Sequence, residues 1–217
     1  MSSNATPESR PPLTKERVLH AAVALADREG LGALTMRRLG AELGFEAMSL
    51  YKHVANKDEI LDGMVEVVVS RIEIPEEGAE WRTAMRRRAV SAREVLGRHS
   101  WAIGLLESRG FQGPAAMRYL DAILGNLISS GFSMEKAAHA FWLLDCYVYG
   151  QIVQETSIGL RGKDESAEAA STIELASEFP SLAAAYEHAA TFGYTFDSEF
   201  EFGLELILDG LERHRRA

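Results

Sequence analysis

Residues 34–61 read LTMRRLGAELGFEAMSLYKHVANKDEIL, and this stretch decides the fold. Met36, Leu39 and Leu43 recur at helical spacing, so a short helix over 35–43 carries one inward stripe. Thr35 can cap its first turn, and Gly44 stands just past its last periodic residue, where a left-handed stop is favoured. Phe45 and Leu50 pack back inward. That leaves Ala47, Met48, Ser49, Tyr51, Lys52 and His53 on the outer side of the next helix. These side chains are small, hydrogen-bonding or cationic, and a DNA major groove accepts them. A helix presented in this way can enter the groove as the second member of a helix-turn-helix. Asn56, with Glu59 three residues on, forms an Asn version of the capping box and opens a third helix to about Ile72.

Taken in order, Thr35, Arg37, Leu39, Gly40, Leu43, Gly44, Phe45, Ser49, Leu50, Tyr51, His53, Val54, Asn56, Lys57, Ile60 and Leu61 form a pattern. That pattern resembles the DNA-binding domain of the TetR family of transcriptional regulators. Residues 80–110, 113–133 and 140–155 are similar to the C-terminal domain of the tetracycline-repressor branch, so the likeness runs over about 13–213. The resemblance implies an all-α homodimer with a ligand cavity in each body. It also implies heads that reposition when ligand binds, with release from DNA as the usual direction. The magnesium–tetracycline site of that branch uses a histidine near His99, but His-Ser-Trp-Ala over 99–102 does not reproduce its motif. No metal and no cofactor are therefore carried over.

Composition fits this reading. The chain has 217 residues, 47% hydrophobic and 25% charged, enough for one or two domains with a sizeable core. The N-terminal MSSNATPESRPP is polar, with no visible signal peptide. The longest stretch free of Asp, Glu, Lys and Arg, Ala122–Met134, has 13 residues, too few to span a bilayer. One cysteine, Cys146, excludes an internal disulfide and suits a reduced, cytoplasmic compartment, where it is expected buried and inert. The net charge of −9 argues against a nucleic-acid partner until its distribution is read: residues 1–57 carry +2 and residues 58–217 carry −11. A mildly basic head can contact phosphates while the acidic body stays off them.

The organisation expected is a disordered tail at 1–12 and a helix-turn-helix domain at 13–57. A connecting helix and linker follow at 58–78, then a helical ligand-binding and dimerisation domain at 79–217. A helix from Lys15 to Glu29 follows Thr14 as cap, with Val18, Leu19, Ala22, Leu25 and Ala26 inward. Trp81, Met85, Ala89, Ala92 and Leu96 define one face over 80–98. Further helices are expected at 101–108, 114–129 with Pro114 first, 134–156 capped by Ser133, 180–188, and 198–213 capped by Asp197 or Thr195. Small and charged residues at 157–178 read as a loop.

Among individual residues, Tyr51, Lys52, His53 and Lys57 are expected at phosphates, with Arg37 reaching phosphate or base. Ala47, Met48 and Ser49 form the base-facing set. Glu46 either accepts from a cytosine amino group or simply favours the helix N-terminus. In the body, Trp81, Met85, Phe111, Met117, Phe141, Trp142 and Tyr149 are candidates to line an apolar ligand pocket, against the alternative of plain core. Asp145 lies on an apolar stripe with Phe141, Trp142, Val148, Tyr149 and Ile152, so it must be paired, hydrated or protonated. It can meet ligand, bond across a dimer seam, or sit at the stripe edge. His99 can face ligand or serve as a helix-end partner. Phe200, Gly203, Leu204, Ile207, Gly210 and Leu211 suggest a dimer seam, completed by the 134–156 helix as an intersubunit four-helix bundle, against the alternative of close packing within one chain.

The function expected is that of a ligand-responsive regulator. As a repressor it binds a palindromic DNA operator as a homodimer and is released by a small, mostly apolar effector. A helical enzyme is the reading from another class, but no Gly-rich phosphate loop, HExxH or nucleophile elbow is present. A ligandless dimer scaffold is the third.

Overall fold

The structure, a computed structural model, describes residues 12–158, 178–192 and 195–216. The expected tail, save Pro12, and most of the loop at 157–178 lie outside the described residues. Among the described residues there are ten α-helices and no strand. They are α1 Lys15–Glu29, α2 Met36–Leu43, α3 Ala47–Leu50, α4 Lys57–Val69, α5 Trp81–Arg98, α6 Trp101–Arg109, α7 Pro114–Ser129, α8 Met134–Ile158, α9 Pro180–Phe192 and α10 Phe196–Arg216.

The caps explain where these helices begin. Thr14 Oγ1 accepts from the Arg17 amide at 3.2 Å, and Thr35 Oγ1 accepts from Arg38 at 3.1 Å. Asn56 Oδ1 accepts from the Glu59 amide at 2.8 Å, while Glu59 Oε2 accepts from Ala55 at 2.5 Å. The box thus closes one residue upstream of the cap itself. Glu80 takes the amides of both Arg82 and Thr83. Of the two residues expected to open the last helix, Thr195 is the cap, accepting from Ser198 at 3.1 Å.

Two elements are shorter than their periodicity suggests. The recognition helix α3 is a single turn. Beyond Leu50 the chain tightens, with the His53 amide bonding to the Leu50 carbonyl at 2.9 Å. Helix α4 stops at Val69, and Arg71 and Ile72 continue it only through shorter-range bonds to Val68 and Val69.

Apolar burial divides the chain into two cores that meet inside α4. The head core gathers Val18, Ala22, Leu25, Leu34, Leu39, Leu50, Val54, Ile60 and Met64. The body core begins one residue later, at Val65, and takes in Val68, Met85, Leu96, Ile123, Leu127, Leu144, Val148, Leu204 and Leu208. In the body, α8 is the central helix, with α5, α7 and α10 packed around it, while α4 lies against α6 and α7. The connecting helix is therefore not a free rod: its first half belongs to the head and its second half to the body.

Two glycines differ in what they do for these elements. Gly44 has φ 73° and ψ 33°, a left-handed geometry that a β-branched side chain resists. Gly104 lies in the interior of α6, exposed, with nothing within 4 Å of an added Cβ. Gly44→Val is expected to lower unfolding free energy by about 1–2 kcal/mol. Gly104→Ala is expected to raise it by about 0.5–1 kcal/mol. Denaturant titration of both variants checks the signs, and a neutral Gly44→Val would contradict a left-handed turn between α2 and α3.

Candidate nucleic-acid interface and effector site

At the head, Leu39, Leu43 and Leu50 are buried and fix α2 and α3 against α1. The amides of Gly44 and Phe45 turn back onto the carbonyls of Ala41 and Gly40 at 3.1 and 2.9 Å. This reversal sets the outer face of α3. Met48 is 75% exposed and Tyr51 45%; Lys52 is exposed, and Ala47, Ser49 and His53 are half-buried beside them. Glu46 is the N-cap residue of α3 but makes no cap bond with its side chain, so the carboxylate is not consumed by its own helix.

Apart from Arg17, which lies over the Phe45 ring, the described arginines and lysines of the head fall into two groups. Arg28 and Arg38 share Glu29 and Glu42, and Lys15 pairs with Glu59. Arg38 holds the Glu29 carboxyl below its ordinary range, and the Lys15 bond together with the Ala55 amide does the same for Glu59. Arg37, Lys52 and Lys57 are exposed, and no ion pair to any of them occurs among the described residues. The carboxylates thus balance the cations that brace the head and leave a separate trio around α3 and the start of α4.

In the body, sequence reasoning missed Arg88. It is 1% exposed on α5. Nε donates to the Tyr119 hydroxyl at 2.6 Å, and Nη2 donates to Asp145 Oδ1. The guanidinium also lies 5.1 Å from the Tyr119 ring centre and 5.7 Å from that of Phe141. Asp145, 3% exposed, is therefore paired within its own protomer, and Tyr149 offers a hydroxyl to its Oδ2 at 3.4 Å. Phe111 stacks on Tyr119 at 6.1 Å and meets Phe141 edge-on at 5.8 Å. Burial pushes the Tyr119 and Tyr149 phenols up, so both stay neutral. One signal for Arg88 was legible: Arg86, Arg87 and Arg88 are consecutive, so a helix must turn one of them toward the Trp81–Met85–Leu96 face.

Phe111, Phe141, Asp145 and Tyr149 thus come together, but the other pocket candidates do not join them. Trp81 packs edge-on to Phe132 at 5.1 Å, and Met85 is fully buried core. Met117 and Trp142 are 57% and 59% exposed, with Trp142 reaching only the edge of Phe141. A cleft of about 550 Å³ touches Trp81 at the far end of the body. Its other lining residues are Glu80, Arg82, Ser130, Glu212 and Arg215, so charged and polar residues rim it and none of the other pocket candidates lines it.

His99 is placed elsewhere again, at the junction of head and body. Its Nδ1 lies 2.7 Å from Asp27 Oδ1 on α1, and Trp101 Nε1 donates to the same oxygen at 2.7 Å. Arg71 Nη1, just past α4, is 2.8 Å from Nε2. Arginine can only donate, so Nε2 accepts, and the ring proton on Nδ1 donates to Asp27. The histidine is used up in joining three segments.

Several of the expected seam residues are occupied within the protomer. Phe200, Leu204 and Leu211 are buried in their own protomer, Phe200 stacked on Tyr147 at 5.5 Å. A Cβ on Gly203 would collide with the Tyr147 hydroxyl, so that glycine makes room for its own chain. Ile207 and Gly210 are half-buried, and a Cβ on Gly210 would meet nothing within 4 Å. Among the described residues nothing covers the face of α10 that carries Phe202 and Leu206, 65% and 56% exposed. Beside it α8 presents Leu143, Cys146, Gly150 and Val153, a spacing of one helix face. Cys146, expected buried, is exposed.

Comparison with known proteins agrees with these two modules. The family model for bacterial regulatory proteins of the tetR family matches residues 18–64, and that for the tetracyclin repressor-like C-terminal domain matches residues 74–215. The HTH-type transcriptional repressor DrrR1 of Streptomyces coeruleorubidus is 38% identical over 94% of this chain and 78% of its own length. The class A tetracycline repressor from transposon 1721 of Escherichia coli is 30% identical, over 94% of this chain and 92% of its own. The Streptomyces coelicolor protein ActR, solved in complex with actinorhodin, superposes with a TM-score of 0.76 at 31% identity, covering 94% of this chain and 99% of ActR. No described helix is long and apolar enough to cross a membrane. A helix-turn-helix head braced by internal ion pairs, on a helical body with a buried polar cluster, thus matches known regulators over nearly its whole length, and the chain belongs to the TetR family of transcriptional regulators.

Proposed function

We propose that this chain is a cytoplasmic repressor whose homodimer binds a palindromic operator through α3 and the start of α4, and leaves it when a small aromatic effector enters the body. It is a switch and not an enzyme. The observation that carries the DNA-facing part is the separation of cations: Arg37, Lys52 and Lys57 surround the exposed Met48 and Tyr51 without ion-pair partners among the described residues. Arg37, Lys52, Lys57, Tyr51 and His53 then position the head on phosphates, while Ala47, Met48 and Ser49 meet base edges, with Glu46 at their margin.

The effector part rests on how α4 is held. Asp58 and Asp62 on α4 accept from Arg109, at the end of α6, at 2.5 and 2.6 Å. Glu66, further along α4, accepts the amides of Ala115 and Ala116 at 2.7 and 3.1 Å, so it caps the start of α7. Between those anchors lies the 110–113 loop, which carries Phe111 into the aromatic cluster. An effector that displaces Phe111 disturbs both anchors of α4 together, and α4 carries the head. The shift in operator affinity equals the effector's differential affinity for the two arrangements.

Lys57→Ala should weaken binding to all sequences alike and reduce the slope of log affinity against log salt by about one. Ser49 and Met48 substitutions should instead change base preference. Arg38→Ala should mainly lower the melting temperature of the head. Mobility-shift titrations across a salt series check this, and a Lys57→Ala variant with an unchanged slope removes that residue from the DNA face.

The seam is tested by Leu206→Glu. The side chain is exposed in the protomer, so the variant should fold, yet run as a monomer in light scattering and lose the dimer's operator affinity. Persistence of a full dimer would put the seam elsewhere.

Arg109→Met should reduce the ratio of operator affinities measured without and with an effector identified by thermal shift. The typical coupling of such switches is about 5–150-fold. An unchanged ratio would show that the Arg109–Asp58–Asp62 contact transmits nothing.

A further inference from the structure

One polar atom of the aromatic cluster is left over. Arg88 Nη1 is buried and has no hydrogen-bond partner among the described residues, although the other two guanidinium nitrogens are both bonded. A buried donor without an acceptor is costly, and such groups are rare unless something else completes them. On the reading that this cluster is the effector site, we propose that Arg88 and Asp145 together read a neutral carbonyl oxygen and an adjacent hydroxyl on the edge of a planar aromatic effector.

Three observations define that chemistry. First, the missing partner of Nη1 is an acceptor, because a guanidinium has no lone pair to offer. Second, the charge of Arg88 is already balanced by Asp145, both being at least 96% buried side chains. A carboxylate on the ligand would leave one uncompensated negative charge in this setting, whereas a ketone or quinone oxygen adds none. Third, among the described residues Asp145 Oδ2 has only the long 3.4 Å contact with the Tyr149 hydroxyl, so it keeps room for a better donor. A hydroxyl next to the carbonyl supplies it. Donor and acceptor belong to one ion pair, so the two oxygens of a hydroxy-ketone can address both.

The surrounding rings set the rest of the ligand. Phe111 is stacked on Tyr119 with 16° between the planes and comes from the loop 110–113, not from a helix. It is half-buried, while Tyr119, on α7, is fully enclosed. A planar ligand ring can take the Phe111 position on Tyr119 and the edge of Phe141, bringing its oxygens to Arg88 and Asp145. The pair thereby supplies orientation, and the rings supply most of the contact area.

Three probes separate this from simpler accounts: 1,8-dihydroxyanthraquinone, which carries the hydroxy-carbonyl edge; 9-methylanthracene, of similar shape without oxygen; and 9-anthracenecarboxylate, an anion. Binding to the full-length dimer is followed by quenching of tryptophan fluorescence. The wild-type chain should prefer the dihydroxyanthraquinone to 9-methylanthracene by about 10–100-fold, the size of a charge-assisted hydrogen bond. Arg88→Lys retains a positive partner for Asp145 but not the second nitrogen, and should reduce that preference to about 3-fold or less. The double variant Arg88→Met, Asp145→Leu removes both charges, avoiding a lone buried ion, and should bind the two neutral probes equally. Retention of the preference in both variants overturns the proposal, as does tightest binding of the carboxylate by the wild type. If no probe binds the wild type, the hydroxy-carbonyl class is wrong. Operator binding, scored separately by mobility shift on the same samples, continues to test the regulator itself.

Discussion

Helix α4 has no core of its own, and the rest of the molecule depends on that fact. Ile60 and Met64 complete the head, and from Val65 onward the same helix completes the body. Neither module can bury its apolar face without it. A helix is stiff over this length, so a change in how the body grips residues 65–69 is felt by the head as a change of direction rather than absorbed in a flexible joint. That grip is apolar through Val65, Val68 and Val69, and polar contacts flank it. Asp58 and Asp62 hold the end of α6, and Glu66 holds the start of α7. Exposed ion pairs such as those of Arg109 contribute little to stability. That makes them suited to being remade in a second arrangement, since little free energy is lost in exchanging them.

The second tie between modules is of another kind. Asp27 on α1 receives both His99 and Trp101, and Arg71 holds the other side of the histidine ring. His99 is buried here, and its two partners fix the tautomer of the ring. The junction joins the head to the end of α5 on one side, while α4 joins it to α6 and α7 on the other.

The head was legible from sequence because every signal in it is local. Thr35, Gly44 and Asn56 each act within four residues of themselves, and the stripe of Met36, Leu39 and Leu43 has a single period. The body was legible only as helices. Its decisive contacts join residues far apart in the chain: Arg88 to Asp145, Asp27 to His99, Glu66 to Ala115. Periodicity identifies which residues leave the solvent, but not which element receives them. His99 could not be assigned to ligand or to the head without knowing what stood opposite. The last helix shows the same limit. Phe200, Gly203, Leu204, Ile207 and Leu211 mark an apolar face, yet α10 is apolar on two adjoining sides. One side closes the protomer over Tyr147, and the neighbouring one carries Phe202 and Leu206 outward. A helix that closes an internal core and keeps an exposed apolar side has a broadened stripe, and counting by three and four cannot divide it.

Asp145 shows how such a long-range contact can carry function. An isolated acid on an apolar stripe invites a functional reading, and the structure supplies a basic partner on the facing helix. Removing both charges from such a site in favour of apolar side chains commonly leaves stability unchanged or improved. The pair is therefore poorly explained as a stabilising device. Its value lies in direction: a buried ion pair ringed by Phe111, Phe141, Tyr119 and Tyr149 presents fixed donors and acceptors where aromatic stacking alone would accept many orientations. A regulator needs that discrimination more than it needs affinity. A ligand bound equally well in both arrangements of the body shifts nothing, however tightly it is held. Selectivity for one arrangement requires a contact that exists at full strength in only one of them. A directional hydrogen bond to a buried charge meets that requirement better than apolar surface, because its strength falls steeply with misalignment while dispersion contacts slide.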